Sequence, residues 1–358
     1  FHRATVTCVF ERGPRDIVIY LDDSGLIAGM NYAPFTPATT PADSSWTAPR
    51  YADPRTFHEE AVTIADGPWK LNATLTLPNR TSPSPAVVLV SGSGPNDGDE
   101  TVGPNKVFKD LAWGLASKGI AVLRYPKRTR VYAAPSADPQ AFTVMDEFVD
   151  DARAAVALLT SRADINSKRI FLAGHSEGGY LAPRIAAGDA QIAGIIILEG
   201  NARPIEQAVL DQARYVATLP GANAAAGDQQ LSALKSQAAV IEDPKLKAGT
   251  YVTFLTASVP ASYFLDLRGY EATTVAAHLT IPIYVAQGGR DFQVTTADFT
   301  EWRKALASHP NATLKLYPPL DHLLFPGVGV STPAEYLAPD LHVADEVVTD
   351  LAAWIVSR

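Results

Sequence analysis

The chain has 358 residues, of which 47% are hydrophobic and 19% charged, with 24 Gly and 27 Pro; this is a globular composition that excludes a coiled coil, a collagen or a mainly disordered chain. A balance of 30 basic against 38 acidic residues leaves a net charge of -8, which disfavours binding to nucleic-acid phosphates or anionic lipid. The single cysteine, Cys8, allows no intramolecular disulfide and no cysteine-based zinc site. No apolar run nears the roughly 18 residues that cross a bilayer. A start at Phe1 rather than Met points to a removed upstream segment and favours a secreted or extracytoplasmic location.

Asp16 to Tyr20 and Leu26 to Met30 flank the turn-rich Asp22-Asp23-Ser24-Gly25, so a hairpin is predicted within a short N-terminal appendage, residues 1–33. The Pro/Thr/Ser-rich stretch 34–56 reads as a linker. From 57 to 358 the pattern is that of one larger domain. Glu60 to Ile64 and Lys70 to Leu77 predict paired strands. Short apolar runs then alternate with helical segments: Ala86 to Val90, Ile120 to Arg124, Arg169 to Ala173, Ala193 to Leu198 and Ile281 to Val285. Runs of this kind suit strands covered on both faces. Met145, Phe148, Ala152, Val156 and Leu159 recur at spacings of three and four and give one face of a helix. The fold class expected is α/β, with a mostly parallel, doubly wound sheet. An Ala/Gln-rich, helical stretch at about 202–279 interrupts the alternation and reads as a cap insertion.

Strand Arg169 to Ala173 runs into Gly174-His175-Ser176-Glu177-Gly178-Gly179 and then into a helix-forming segment. This is G-x-S-x-G in the strand-turn-helix setting that exposes a nucleophilic serine. A serine hydroxyl needs a base to take its proton, and the base needs a carboxylate to hold its tautomer. Seven histidines are present. His2 and His58 precede the parallel sheet, His175 lies inside the turn, His278 ends the insertion, His309 caps a helix and His342 opens the last one. His322 remains, in a loop after the strand-like Thr313 to Tyr317, where such a sheet presents catalytic side chains. The acid is expected at Asp291, just past strand Ile281 to Ala286 and Gln287-Gly-Gly-Arg290; Asp321 competes, but its side chain should diverge from that of its neighbour His322. Two backbone donors are needed for an oxyanion: the N–H of Glu177, and Ser93 or alternatively Gly94 in the loop Ser91-Gly-Ser-Gly-Pro95.

These segments, with Ser91 to Glu100, Asn105-Lys106, Leu123 to Thr129, Gly289 to Val294 and Leu320 to Phe325, resemble the alpha/beta-hydrolase-fold serine esterases of bacteria that carry a small N-terminal domain of unknown function. The resemblance covers nearly everything from Phe57 to Arg358 and implies Ser176 as nucleophile, Asp291 as acid and His322 as base. It makes residues 1–33 the end of the small N-terminal domain. Gly98 and Pro126 stand where the family usually has charged residues, and Asp321 where Asn is common.

The function expected is cleavage of carboxylic esters, short-acyl ones in particular, through an acyl-enzyme, with a small-molecule ester as substrate and neither nucleic acid nor a membrane span involved. No G-x-G-x-x-G after a strand, P-loop or H-E-x-x-H is present, so no cofactor and no metal are implied. Two rivals are carried: an acyl-CoA thioesterase or acyltransferase, for which Arg124, Lys127, Arg128 and Arg130 would neutralise CoA phosphates, and a non-catalytic hydrolase-fold binding protein. The ordinary alternative for that basic cluster is pairing with acids such as Asp97, Asp99 and Glu100. Tyr251, Phe254, Tyr263 and Phe264 are candidate pocket residues of the insertion, with plain packing as the competing reading.

Overall fold

A strand buried on both faces must show apolar residues at every position, and Ser84–Val90 does so: all seven residues are buried. Its alternate side chains serve two cores, Ala86, Val88 and Val90 one and Val87 and Leu89 the other. The computed structural model describes residues 2–10, 13–21, 27–34, 46–132 and 135–358. The chain divides into two compact units, Phe1–Trp46 and Thr47–Arg358.

The first unit holds a three-stranded antiparallel meander of β1 (His2–Phe10), β2 (Gly13–Leu21) and β3 (Ile27–Pro34). The two strands of the expected hairpin fall in β2 and β3, and β1 is an unanticipated third. The turn Asp22-Asp23-Ser24-Gly25 and residues 35–45 of the expected linker lie outside the described residues.

The second unit opens with the antiparallel pair β4 (Phe57–Asp66) and β5 (Trp69–Pro78), followed by β6 (Ser84–Val90). A two-residue ladder, β7 (Thr101–Val102) with β8 (Asn105–Lys106), leads into α1 (Val107–Ser117) and β9 (Ala121–Arg124). A short α2 (Arg128–Val131) comes next, and a π-helical turn, Met145–Val149, starts α3 (Asp150–Thr160). The predicted apolar stripe is thus one helix with a widened first turn, which buries three consecutive residues, Glu147, Phe148 and Val149. Then follow β10 (Ile165–His175), α4 (Glu177–Ala187) and β11 (Ile192–Leu198). The stretch between β11 and the next sheet strand contains α5 (Ile205–Ala217), α6 (Ala224–Glu242), the hairpin β12 (Tyr251–Phe254) with β13 (Ala257–Pro260), α7 (Ala261–Leu267) and α8 (Ala272–His278). The chain ends with β14 (Ile283–Gly288), α9 (Thr296–Ala305), β15 (Ala312–Tyr317) and α10 (Asp345–Val356).

The main sheet has eight strands in the order β15-β14-β11-β10-β6-β9-β5-β4. The six from β15 to β9 are parallel, and β5 and β4 continue antiparallel at one edge. One apolar core joins the sheet to α3, α4, α8 and α9, and the other joins it to α1 and α10. Strands β6 and β10 are neighbours although β9 lies between them in sequence. The carboxyl ends of β6, β10, β14 and β15 therefore open on one edge, where the loops carrying Ser93, Ser176, Asp291 and His322 begin.

Candidate active site

Strand β10 passes into α4 through a single residue, Ser176, whose backbone is held at φ 53° and ψ -119°. Its N–H donates to the carbonyl of Leu198 (2.9 Å). Such a conformation is strained for a residue with a Cβ, and it survives because the surroundings leave no other path. The glycines supply that room. A Cβ on Gly174 would stand 2.1 Å from the carbonyl oxygen of Gly178, and one on Gly178 would stand 2.3 Å from that of Val90. Of the six non-glycine residues at positive φ among the described residues, four surround this corner: Glu100, Ser176, Glu199 and Leu324. Strain gathered in this way marks a site whose geometry is held for a purpose other than stability.

Asp291 and His322 meet in the loops after β14 and β15. Nδ1 of His322 lies 2.7 Å from Oδ2 of Asp291. The other carboxylate oxygen, Oδ1, accepts the backbone N–H groups of Gln293 (2.7 Å) and Val294 (2.9 Å), so the carboxyl cannot swing away from the imidazole. With Nδ1 committed to an acceptor, the tautomer that carries its proton there leaves Nε2 as the basic nitrogen. Both residues are buried. Asp321 turns the other way: its Oδ1 accepts from the N–H groups of Leu323 and Phe325 and closes the turn that carries His322. Burial pushes its carboxyl up to about 7, against the lowering effect of those two backbone bonds.

Among the described residues, four histidines away from this edge have other partners. His58 faces Asn79, His278 the carbonyl of Thr274, His309 that of Leu279, and His342 faces Asp110. Helix α9 ends at Ala305, so His309 acts beyond the helix it was expected to cap, bridging toward the end of α8.

Glu177 is the first residue of α4, and its N–H belongs to the helix end that favours negative charge. The opposing loop is pinned by Asn96, whose side-chain amide donates to the carbonyls of Gly92 and Ser93 (both 3.0 Å), and Ser93 and Gly94 are exposed. The Glu177 side chain is buried and accepts from the Tyr263 hydroxyl of α7 (2.9 Å). Burial pushes this carboxyl up to about 7, with Lys127 opposing and Glu147 adding to the rise.

Several polar residues at this edge were not picked out from sequence. Glu199, fully buried at the end of β11, accepts the N–H of Gly288 and the side-chain amide of Gln287, each at 2.6 Å. Burial, followed by the nearby charge of Asp291, pushes its carboxyl well above the usual range. Glu100 contacts His175, and His175 contacts the carbonyl of His322. Among the described residues, one histidine and acid trio has ligand atoms within 4.8 Å of one another: Glu199, Asp291 and His322. Their donor atoms are engaged with each other and with backbone and amide groups, which accounts for the cluster as a hydrogen-bond network.

The basic cluster turns inward. Arg124 pairs with Asp99 (2.7 Å) and Glu59 (2.9 Å), Arg128 with Asp151 (2.6 Å) and Asp66 (2.8 Å), and Lys127 lies buried 3.8 Å from Glu147, with Arg130 left at the surface. Of the acids expected to pair with it, only Asp99 does; Asp97 accepts backbone N–H groups of Asp99 and Thr101. In the insertion, Tyr263 reaches the nucleophile turn, and Phe264 lines a cavity of about 720 Å³ together with Tyr180, Arg203, Glu206 and Tyr270. Phe254 packs edge-on against Phe264 (centroids 5.2 Å apart), while Tyr251 is 48% exposed. No helix among the described residues is long and apolar enough to cross a membrane.

Residues 101–326 match the Hydrolase_4 family, described as serine aminopeptidase, S33. Over 350 residues the chain is 38% identical to Esterase EstD of Thermotoga maritima, covering 98% of this chain and 78% of that protein. Est1E from Butyrivibrio proteoclasticus, solved with ferulic acid bound, aligns with a TM-score of 0.56 at 16% identity, over 83% of this chain and 100% of its own. An esterase from Pyrococcus furiosus aligns with a TM-score of 0.53 at 16% identity, over 84% of this chain and 91% of its own. At such identities these two likenesses speak to the fold alone.

Proposed function

The chain belongs to the alpha/beta-hydrolase family described as serine aminopeptidase, S33, and from that membership we propose that it hydrolyses carboxylic esters through an acyl-enzyme formed on Ser176. The observation that carries the reading is the 2.7 Å bond between His322 Nδ1 and Asp291 Oδ2, standing at the same sheet edge as the strained serine turn. Ser176 Oγ attacks the ester carbonyl carbon as His322 Nε2 takes its proton. The O–C bond forms while the carbonyl π electrons move onto oxygen, where the N–H groups of Glu177 and of Ser93 or Gly94 receive the charge. Collapse breaks the ester C–O bond, and His322 returns the proton to the leaving alkoxide. Water repeats the sequence on the acyl-enzyme and releases the acid. Asp291 keeps its negative charge throughout and stabilises the imidazolium.

The substrate class is uncharged, short-acyl esters. Internal pairing of Arg124, Lys127 and Arg128 removes the phosphate-binding cluster that an acyl-CoA substrate would want, and the net charge of -8 does not steer a polyanion inward. A fluorophosphonate should label Ser176 and only the folded enzyme. The decisive comparison is kcat/KM for p-nitrophenyl acetate, butyrate and palmitate against acetyl-CoA and palmitoyl-CoA. Faster turnover of the thioesters would overturn the substrate class, and an unlabelled Ser176 would overturn the catalytic reading.

A further inference from the structure

Beside the serine, three loops are tied together by two buried side chains. Oε1 of Glu100 accepts the backbone N–H of Gly92 (2.7 Å) in the loop that carries Ser93. The same oxygen lies 3.0 Å from Nδ1 of His175, the residue before Ser176. The opposite ring nitrogen, Nε2, lies 2.8 Å from the backbone carbonyl of His322. A carbonyl oxygen only accepts, so Nε2 must carry a hydrogen; Nδ1 then faces the Glu100 carboxyl, which in its ionised form can only accept and so puts a hydrogen on Nδ1 too. An imidazole protonated on both nitrogens is a cation. Both residues are buried, and a lone charge there would be expelled; an imidazolium facing a carboxylate offsets both charges, although Oε2 of Glu100 is left without a hydrogen-bond partner among the described residues.

We propose that Glu100 and His175 form a permanent ion pair that acts as a positioning device for the hydrolysis, fastening the Ser93 loop, the serine turn and the His322 loop to one another. The proposal rests on the catalytic roles given above to Ser176 and His322. It gives a use to the strained backbone of Glu100 (φ 48°), which holds the side chain between Gly92 of its own loop and His175 of the serine turn. It also explains why the Gly92 loop can press so close to the serine, where a Cβ on Gly92 would lie 3.0 Å from the Cβ of Ser176. Burial alone would lower the affinity of His175 for its second proton. The charge and hydrogen bond of Glu100, the His322 carbonyl and the more distant Asp291 outweigh it and raise the imidazole above its ordinary value.

The pair also has an electrical consequence. The rings of His175 and His322 are 4.8 Å apart between centroids, so the base works beside a fixed positive charge. The groups facing His322 are then Asp291, which favours its protonation, Glu199, whose carboxyl is pushed well above its usual range, Asp321 on its own turn, and the His175 cation, which opposes protonation, with the Glu100 carboxylate on the far side of that ring. Removing that cation raises the proton affinity of His322 and moves the acidic limb of kcat/KM to higher pH.

The test uses the full chain. Glu100→Gln and His175→Gln are expected to lower kcat about 10²-fold with little change in KM, and to move the acidic limb upward by at least about half a pH unit. Glu100→Asp, which keeps the charge, should return the limb toward its wild-type position. A limb that stays in place in both Gln variants overturns the proposal, because a merely structural pair would alter the active fraction and not the titration. Should these variants fail to fold, nitrogen-15 spectra of the wild-type histidines decide: one imidazole should keep both ring protons at a pH where a free imidazole has lost one. Loss of one proton from every histidine by that pH overturns the ion pair. This readout does not depend on turnover, whereas full activity in Ser176→Ala would instead sink the catalytic reading.

Discussion

The sheet edge that carries Ser176, Asp291 and His322 and the insertion between β11 and β14 are built to different standards. At the edge, buried carboxyls are fixed by named partners within and between loops: Glu100 by Gly92 and His175, Glu199 by Gly288 and Gln287, Asp291 by His322 and two backbone N–H groups. In the insertion, α6 runs for 19 residues and buries only Leu234, Ala238 and Ile241. One region prescribes the residue at each position, and the other prescribes little beyond a helix with an apolar stripe. Chemistry that depends on tenths of an ångström belongs in the first.

Removing the proposed reacting groups should produce the largest effects. Ser176→Ala and His322→Ala are each expected to lower kcat by at least roughly 10³-fold with an unchanged unfolding transition, because these groups act as a unit. Asp291→Asn should be severe as well, since an amide that donates to Nδ1 selects the wrong tautomer of His322. Kinetics on ester substrates together with thermal melts check both halves of the statement, and a near-normal rate in Ser176→Ala would end the assignment.

Backbone crowding comes next. Gly178→Ala puts a Cβ 2.3 Å from the Val90 carbonyl oxygen, backbone against backbone, so neither side can yield without opening the seam between α4 and β6. A loss of at least about 3 kcal/mol is expected, read as a lowered denaturant midpoint or as insoluble protein. Ala at Gly221, in the insertion, meets nothing within 4 Å and is strained only by its positive φ, so it should cost about 1 kcal/mol. Equal losses at the two sites would erase the contrast between the regions.

How far the site could be read from sequence follows the same line. Ser176 was legible because a strand, a one-residue turn and a helix leave a local signature, and Asp291 and His322 because the strand order dictates where each loop emerges. The sheet strands announced themselves as Val/Ile/Leu runs. Glu100 and His175 left no such trace, since their pairing spans 75 residues and His175 read as a mere filler of the G-x-S-x-G turn. Glu199 likewise gives no local signal, as its partners lie 88 and 89 residues away. The basic run Arg124 to Arg130 fitted either a CoA-phosphate cluster or pairing with nearby acids, and only the packed loops supply the partners, Asp99 among those expected and Glu59, Asp66, Glu147 and Asp151 besides. In the appendage, β1 was not picked out, although Ala4, Val6 and Cys8 alternate with Arg3, Thr5 and Thr7 ahead of the turn residues Gly13-Pro14.

Glu177 sits where the two regions touch, and it gives a pH-dependent prediction. Its carboxyl titrates at about 7 in the folded protein against about 4.5 when free. The native state therefore holds a proton that the unfolded chain has released between these values. The stabilising contribution is complete below about pH 4.5 and is lost as pH rises through about 7. Glu177→Gln removes this dependence. The fall in wild-type stability from about pH 5 to 8 should exceed that of the variant by on the order of 1–3 kcal/mol. Parallel curves from denaturant titrations at several pH values would show that Glu177 is ionised in the fold.

The smallest effects should lie in the insertion itself, and two tyrosines twelve residues apart give the sharpest form of the comparison. Tyr263 is buried, and its hydroxyl donates to Glu177 at the serine turn, so Tyr263→Phe takes away a bond that lowers the Glu177 carboxyl and leaves an acid oxygen short of a partner. A cost of about 1 kcal/mol and a further upward move of the Glu177 titration are expected. Tyr251 stands on the outer strand β12 with 48% of its surface exposed and no bond to the sheet edge. Tyr251→Ala should shift stability by no more than about 0.5 kcal/mol and leave the relative rates across acetyl, butyryl and palmitoyl esters unchanged. A changed chain-length preference in Tyr251→Ala would instead place the acyl group under the β12 hairpin, and the insertion would then have to be read as part of the binding site rather than as its loosely specified cover.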